Sequence, residues 1–323
     1  MVGCLQDDTR VPHIVVTLLL ASRADSASVN LHRAVLALGG WSNAEGYSHG
    51  ILHRHNEKEV HLLMIEQLHI HADALDKLHE KNCDVIVEEV LVLSRHSSKS
   101  GIPSLSVHTI GVPGEVPHGE PAFAGGLKGL AVPPSPRFSV LFKKLQEETI
   151  ESGLADEFDV TLETTHHGPV LSSPTLYLEI GSTENEWNRQ DASYVWAKVL
   201  SDVLGLAGGK EMGCWPGHGD VMIGFGGGHY APRHTAVINQ GNFWMGHLLA
   251  NYALQFDDSN SDSLPSGPWL HAVKEVVRAT RESYPGGLIF AHLDRKSFKG
   301  WQRSALINAL NEIGVEIRRG KDM

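Results

Sequence analysis

The sequence predicts an α/β sandwich built on a mixed, largely parallel sheet. Three observations carry this. Apolar, β-branched runs alternate with helix-period stretches along the whole chain, the order that packs helices over a sheet. No internal repeat interrupts that alternation. Five polar segments rich in Gly, His and Ser follow directly after predicted strands, where open α/β sheets bind ligands. With 323 residues, 41% of them hydrophobic, residues 1–323 suffice for one large α/β domain.

The elements follow in order. "IVVTLLLAS", residues 14–22, is an apolar strand, and residues 27–38 form a helix stopped by Gly39 and Gly40. Strands are predicted over 60–65, 85–93 and 105–110, with a short helix at 73–80. Residues 111–136 are rich in Pro and Gly without any period, which marks a long loop or flap. Pro136 opens a helix to about Glu151, since proline suits a first helical turn. Strands at 158–164 and 176–180 precede a helix over 186–206. A strand at 221–224, a helix at 244–255 and a polar linker at 257–268 come next. A helix at 269–284, a strand at 288–291, a helix at 300–313 and a strand at 315–317 complete the chain.

Composition narrows the function classes. The net charge of −11 argues against a broad, non-specific nucleic-acid binder, though it leaves room for a local basic patch. Cys4, Cys83 and Cys214 show no metal or redox spacing and cannot form a disulfide framework. The acidic "MVGCLQDDTR" before the first apolar run does not suit a signal peptide, and no run is long enough to span a bilayer. A soluble, cytoplasmic protein is expected, with the nucleus as a second location. Histidine is abundant, with 20 residues against nine Phe and six Met.

Each post-strand segment offers chemistry. In "TTHHGPV", Glu163 lies three residues before His166 and can orient an imidazole or act as a base; His167 follows. The same pair can simply bond backbone at a strand end. "SRHSSKSGIPSLSVHT" supplies His96, Lys99 and His108 among hydroxyls, a composition that suits an anion or an ordinary solvated loop. "GFGGGHYAPRH" has Gly226, Gly227 and Gly228, whose amides can approach a ligand closely, then His229, Tyr230 and Arg233. A tight strand-to-helix crossover is the plainer reading. "HLDRKSFKGWQR" sets Lys296 and Lys299 around Phe298, as single-stranded nucleic acid favours, or as a solvated helix start requires.

No HExxH or cysteine-based motif declares a metal. Dispersed ligands remain available: His96, His108, His166, His167, His229 and His247, with Glu163 or Glu179. "HRH" at 53–55 and "HIH" at 69–71 can each place two imidazoles on one strand face, and read mostly as structural. There is no GxSxG elbow, and Cys214 stands alone, so direct attack by water fits a hydrolase better than a covalent intermediate.

Together, "SRHSSKSGIPSLSVHTIG", "ETTHHGP", "LEIGSTENEW" and "GFGGGHYAPRHT" resemble the archaeal- and plant-type D-aminoacyl-tRNA deacylases over about residues 12–318, and "HLDRKSFKG" resembles the plant branch. Thr164 stands where the family pattern has Ala. The resemblance implies a phosphorylase/hydrolase-like three-layer α/β/α core related to peptidyl-tRNA hydrolase. It implies hydrolysis of the ester between a D-amino acid and its tRNA, in translation quality control, with zinc (Zn2+) as cofactor. In the plant branch it further implies clearance of aldehyde-adducted D-aminoacyl-tRNAs, and so aldehyde and ethanol tolerance. The expected partner is tRNA charged with D-amino acids, with no membrane and no obligate protein partner. On this reading the catalytic groups are Glu163, His166, His167, His229 and the amides of Gly226, Gly227 and Gly228. Lys99, Tyr230, Arg233, Lys296, Phe298 and Lys299 hold the tRNA, and His96, His108, His166, His247 and Glu179 form the metal set. Two rivals are a zinc hydrolase of small esters or amides and a non-catalytic binder of tRNA or nucleotide.

Overall fold

A computed structural model describes residues 14–115, 124–257, 265–320 and 323. The N-terminal acidic stretch, and parts of the 111–136 loop and the 257–268 linker, lie outside these residues. The first described element is strand β1 (Ile14–Ser22), which is buried from Val16 onward and pairs on both edges, as a central parallel strand requires. Helix α1 (Ser26–Ala37) follows, its first turn capped by Asp25, which accepts from Ser28 N at 3.0 Å. A hairpin of β2 (Glu45–Tyr47) and β3 (Gly50–Arg54) leads into β4 (Val60–Ile65). Then come α2 (Leu75–Cys83), β5 (Val85–Arg95), β6 (Ser104–His108), β7 (Gly111–Val112), β8 (Leu130–Ala131), α3 (Phe138–Glu151) and β9 (Asp159–Leu162). The second half comprises β10 (Thr175–Gly181), α4 (Glu184–Trp187), α5 (Gln190–Leu204), β11 (Asp220–Phe225), α6 (Pro232–Gln240), β12 (Trp244–Leu249), α7 (Trp269–Ser283), β13 (Leu288–Leu293), α8 (Gly300–Glu312) and β14 (Glu316–Arg318).

Two large sheets organise most of these elements, and β7 and β8 pair separately as a two-stranded ribbon. The larger runs β2-β3-β4-β1-β5-β10-β6-β9 and is mixed; the smaller, β12-β11-β13-β14, is parallel throughout. Helices cover both sides. On one face of the larger sheet Leu91, Leu176 and Leu178 pack with Leu31 of α1, Phe142 of α3 and Trp196 of α5. The opposite face buries Leu18, Val92 and Tyr177 with Leu75 of α2. The α/β expectation is met, and no helix of the described residues is long and apolar enough to cross a membrane.

Several elements differ from the sequence expectation. Residues 244–249 are a strand rather than the start of a helix, and a 3-10 turn, Asn251–Ala253, follows. The strand is buried against β11, and apart from His247 its residues are apolar or small, so the alternation that identifies a half-buried strand is missing. The helix expected at 186–206 is broken between α4 and α5. Helix α6 and the β2–β3 hairpin arise where no element was expected.

Candidate active site

Register places the chemistry on one sheet face. In β10, Tyr177 and Glu179 point to the same side; β6 aligns His108 opposite Tyr177 and Ser106 opposite Glu179, and β5 aligns Ser94 with Glu179. Glu179 and His108 therefore share a face, and His96 follows one residue after β5 ends. Gly181 leaves room for that imidazole, because a Cβ there would stand 2.7 Å from His96 Cβ.

The remaining groups arrive from the junction of the two sheets. Residues 163–166 form a short clamp: Glu163 bridges Tyr230, Thr164 N donates to His229 O, Thr165 N donates to Leu248 O, and His166 pairs with Ile110. β9 runs antiparallel to β10, so its end meets the others over the sheet face and not along a shared carboxyl rim. His96, His166 and His229 meet all the same, with ring centroids 5.5 Å apart for His96–His229 and 4.8 Å for His166–His229. A cavity of about 190 Å³ opens among His96, His166, His167, Glu179 and His229.

Two buried carboxylates dominate its electrostatics. His229 Nε2 lies 2.8 Å from Glu163 Oε2 and His96 Nδ1 lies 3.1 Å from Glu163 Oε1. His96 Nδ1 and His108 Nε2 each stand 3.6 Å from Glu179 Oε2. Burial alone pushes the Glu163 carboxyl up, but His229 and His96 pull it below its ordinary value; His108 and His96 pull Glu179 down further. The reciprocal effect outweighs desolvation at His96, which Glu179 and Glu163 raise to about 10, and raises His108 through Glu179. Two buried carboxylates thus face two imidazoles that they hold more basic than usual.

The donor set suits a divalent metal. Glu163, Glu179 and His108 present ligand atoms within 4.8 Å of one another, as do His96, Glu163 and His229, and likewise His108, His166 and His167. Neither Glu163 oxygen nor His108 Nε2 makes a hydrogen bond of good geometry to any described residue, despite the nearby nitrogens. His108, His166 and His167 each direct Nδ1 at a backbone carbonyl, of Thr109 at 3.0 Å, Thr164 at 2.7 Å and Gly168 at 2.6 Å. Such outer contacts fix a ring so that Nε2 faces inward. Imidazole and carboxylate donors of this kind are those zinc takes. The charge of a dication would also offset the two carboxylates.

Other expected site residues lie elsewhere. His247 sits apart, its Nδ1 2.9 Å from Thr165 Oγ1 and 3.2 Å from Thr109 Oγ1; burial lowers it to about 3, and it braces the clamp as a neutral ring. The Gly226 and Gly227 amides are already used, by Leu249 O at 2.8 Å and Ser297 Oγ at 2.7 Å, and so cannot serve an ester oxygen. Gly226 is needed because a Cβ would meet the Phe298 ring at 2.8 Å and the φ is +100°. What comes so close to this backbone is the protein's own core. Phe298 is buried in that packing and cannot stack on a base. Arg233 pairs with Asp294 at 3.1 Å. Lys296 and Lys299 are exposed just before α8, and Lys99 is exposed beyond His96. Tyr230 does reach the cavity groups, its hydroxyl 2.8 Å from His96 Nε2.

Sequence reasoning missed Asp25 and His69. "HIH" is a 3-10 turn, not a strand; His69 lines the cavity with Nε2 3.2 Å from Asp25 Oδ2, and Asp25 also accepts from Arg95 N at 3.0 Å. The available signal was an aspartate just past an apolar strand and one residue before a helix.

Known proteins resemble this chain over most of its length. The family model described as D-aminoacyl-tRNA deacylase matches residues 83–318. A D-aminoacyl-tRNA deacylase of Arabidopsis thaliana is 40% identical over 317 residues, covering 95% of this chain and 99% of that protein. One from Methanosarcina mazei is 32% identical over 309 residues, covering 94% and 92%. The crystal structure of AF0625, described as a conserved protein of unknown function, superposes with a TM-score of 0.75 at 27% identity over 96% of each chain.

Proposed function

Because this chain belongs to the D-aminoacyl-tRNA deacylase family, it is a hydrolase of the D-aminoacyl-tRNA ester, and we propose that the histidine-lined cavity is where that ester is cut. The observation that supports this assignment is the convergence of His96, Glu163, His166, Glu179 and His229, from four separate segments, on one cavity.

His229 is the base in this reading. It is the most accessible imidazole of the group, with 27% of its side chain exposed, and Glu163 stands against it to stabilise the imidazolium. His229 takes a proton from water as the oxygen attacks the ester carbonyl. The bond from that carbon to the ribose oxygen then breaks, and the proton passes to the ribose oxygen, releasing the amino acid and the tRNA. His96, fixed between Glu163 and the Tyr230 hydroxyl, lines the cavity where the oxyanion develops and helps to stabilise it. His166 and His167 wall the cavity and orient the carbonyl.

Zinc belongs to the proposal as cofactor, held by His108, Glu163 and Glu179, and the donor set and its poorly satisfied polar atoms support it. Bound there, zinc would supply Lewis-acid polarisation of the carbonyl or of water. We extend the substrates to D-aminoacyl-tRNAs whose amine carries an aldehyde adduct, and place the protein in the cytoplasm, on the resemblance to the plant branch. No observation favours a small-ester hydrolase or a non-catalytic binder.

The decisive experiment compares matched D- and L-tyrosyl-tRNA as substrates for the wild type and His229→Ala. Rapid, D-selective hydrolysis that the substitution removes is expected. Full activity in His229→Ala would overturn the assignment of the base.

A further inference from the structure

A second cleft, of about 700 Å³, abuts the cavity through a shared residue, Arg95. It lies around the rim of the larger sheet, between α1 and α4, and its lining includes Arg23, Arg33, Arg95 and Trp187. Three arginines face one carboxylate, Glu184, in a chain whose net charge is −11. Arg23 is engaged with Glu66 at 2.8 Å. Arg33 and Arg95 pair with no carboxylate among the described residues; the Arg95 guanidinium lies over the Trp187 ring, 5.0 Å from its centroid.

The cleft is built rather than incidental. Asn30 of α1 donates to Trp187 O at 3.2 Å and Arg189 O at 2.8 Å, tying α4 to α1. Trp187 Nε1 donates to His96 O at 2.8 Å, so the cleft wall and the catalytic group share one support. Guanidinium groups with planar donors beside an aromatic face are how proteins hold the phosphates and bases of single-stranded nucleic acid.

We propose that the Arg23–Arg33–Arg95 cleft binds the phosphodiester backbone of the single-stranded 3′ end of the substrate tRNA and feeds its terminal ester past Arg95 into the cavity. The inference rests on the deacylase reading. It moves tRNA contact away from Arg233, which an aspartate neutralises, and from Phe298, which the core buries. Lys296 and Lys299, near that second pair, are the competing phosphate contacts.

The test is steady-state hydrolysis of D-tyrosyl-tRNA and filter binding of uncharged tRNA, across a salt series, for Arg23→Glu/Arg33→Glu, Lys296→Glu/Lys299→Glu and Arg281→Glu. Arg281 lies on α7 and its side chain donates to Ile313 O, outside the cleft, so its variant shows what added negative charge away from the cleft does. For the double arginine variant we expect KM and the tRNA dissociation constant to rise about tenfold with kcat within twofold. The salt slope should shrink by about 0.7 per arginine, as for single-stranded contacts. Unchanged KM and slope in that variant, or equal changes in the Arg281 control, would overturn the proposal, as would a loss confined to the lysine variant. Binding of uncharged tRNA separates the two readings. A wild type that binds tRNA through these arginines yet hydrolyses nothing would sink the deacylase reading and leave the cleft standing.

Discussion

His96 Nε2 and the Tyr230 hydroxyl stand 2.8 Å apart although 134 positions separate them in the chain. The contact joins the end of a strand in the larger sheet to the glycine turn that leaves the smaller one. Tyr230→Phe keeps the ring and removes that partner. Its expected effect is a loss of about two- to tenfold in kcat, the size of one hydrogen bond, with little change in melting temperature. Single-turnover hydrolysis of D-tyrosyl-tRNA measures it.

His229 should matter far more to rate than to stability. Removing a general base costs about 10²–10⁴ in rate, while its side chain is one-quarter exposed and leaves little cavity behind. His229→Ala should therefore unfold in urea close to the wild type while its kcat collapses.

Glu163→Gln probes the metal. It keeps the shape of a fully buried side chain and removes a charge on which His96 and His229 depend. Expected is a fall in zinc content per chain, read by elemental analysis, with a parallel fall in rate after chelation and zinc return. Unaltered zinc content would remove Glu163 from the ligand set.

Away from the site, Arg137 neutralises Glu89, which also accepts from Ser135 Oγ at 2.6 Å and Thr17 Oγ1 at 3.2 Å. Arg137→Ala would strand that carboxylate in the interior, at a cost of about 3–5 kcal/mol. Urea denaturation should show the loss; a change under 1 kcal/mol would mean that water reaches Glu89.

Acid should destabilise the fold from an unusually high pH. His234 is buried against His292, with their Nδ1 atoms 2.8 Å apart, and desolvation followed by that neighbour lowers it to about 3. Its folded value lies below the unfolded 6.5, so its stabilising share is complete above pH 6.5. As pH falls toward 3 the unfolded chain gains a proton that the native ring refuses, and stability drops by roughly 1 kcal/mol per pH unit for such a group. His61 and His79, lowered to about 3 and about 4, add to the slope. Melting curves between pH 7 and 5 should fall, and less steeply for His234→Asn.

Much of this architecture was legible because the central strands carry long apolar runs: residues 14–22 and 60–65 were bounded as the structure bounds them. Residues 244–249 were not, since a strand buried on both sides lacks the alternation that distinguishes it from a buried helix. Pro232 opens α6 so soon after Gly226–Gly228 that the sequence there reads as loop. At the site, His96, His166 and His229 were named correctly as neighbours, because each follows a strand that ends nearby. His247 falls outside the cavity for the complementary reason. It lies within a strand, and only the fold decides which face of that strand looks into the cavity. The triple glycine carried a real signal of close approach, but spacing alone does not reveal whether a ligand or the Phe298 ring does the approaching.

The four-residue clamp at 163–166 is pinned by the turn at 229–230 on one side and by Leu248 and Ile110 on the other. Neither half of the polypeptide owns the reaction chamber. Loosening the C-terminal sheet by a fraction of an ångström would pull Glu163 and His229 out of alignment long before the hydrophobic layers came apart. Heat inactivation should therefore run ahead of global melting, and a catalyst reassembled from two separately made halves would gain turnover only once both were fully seated.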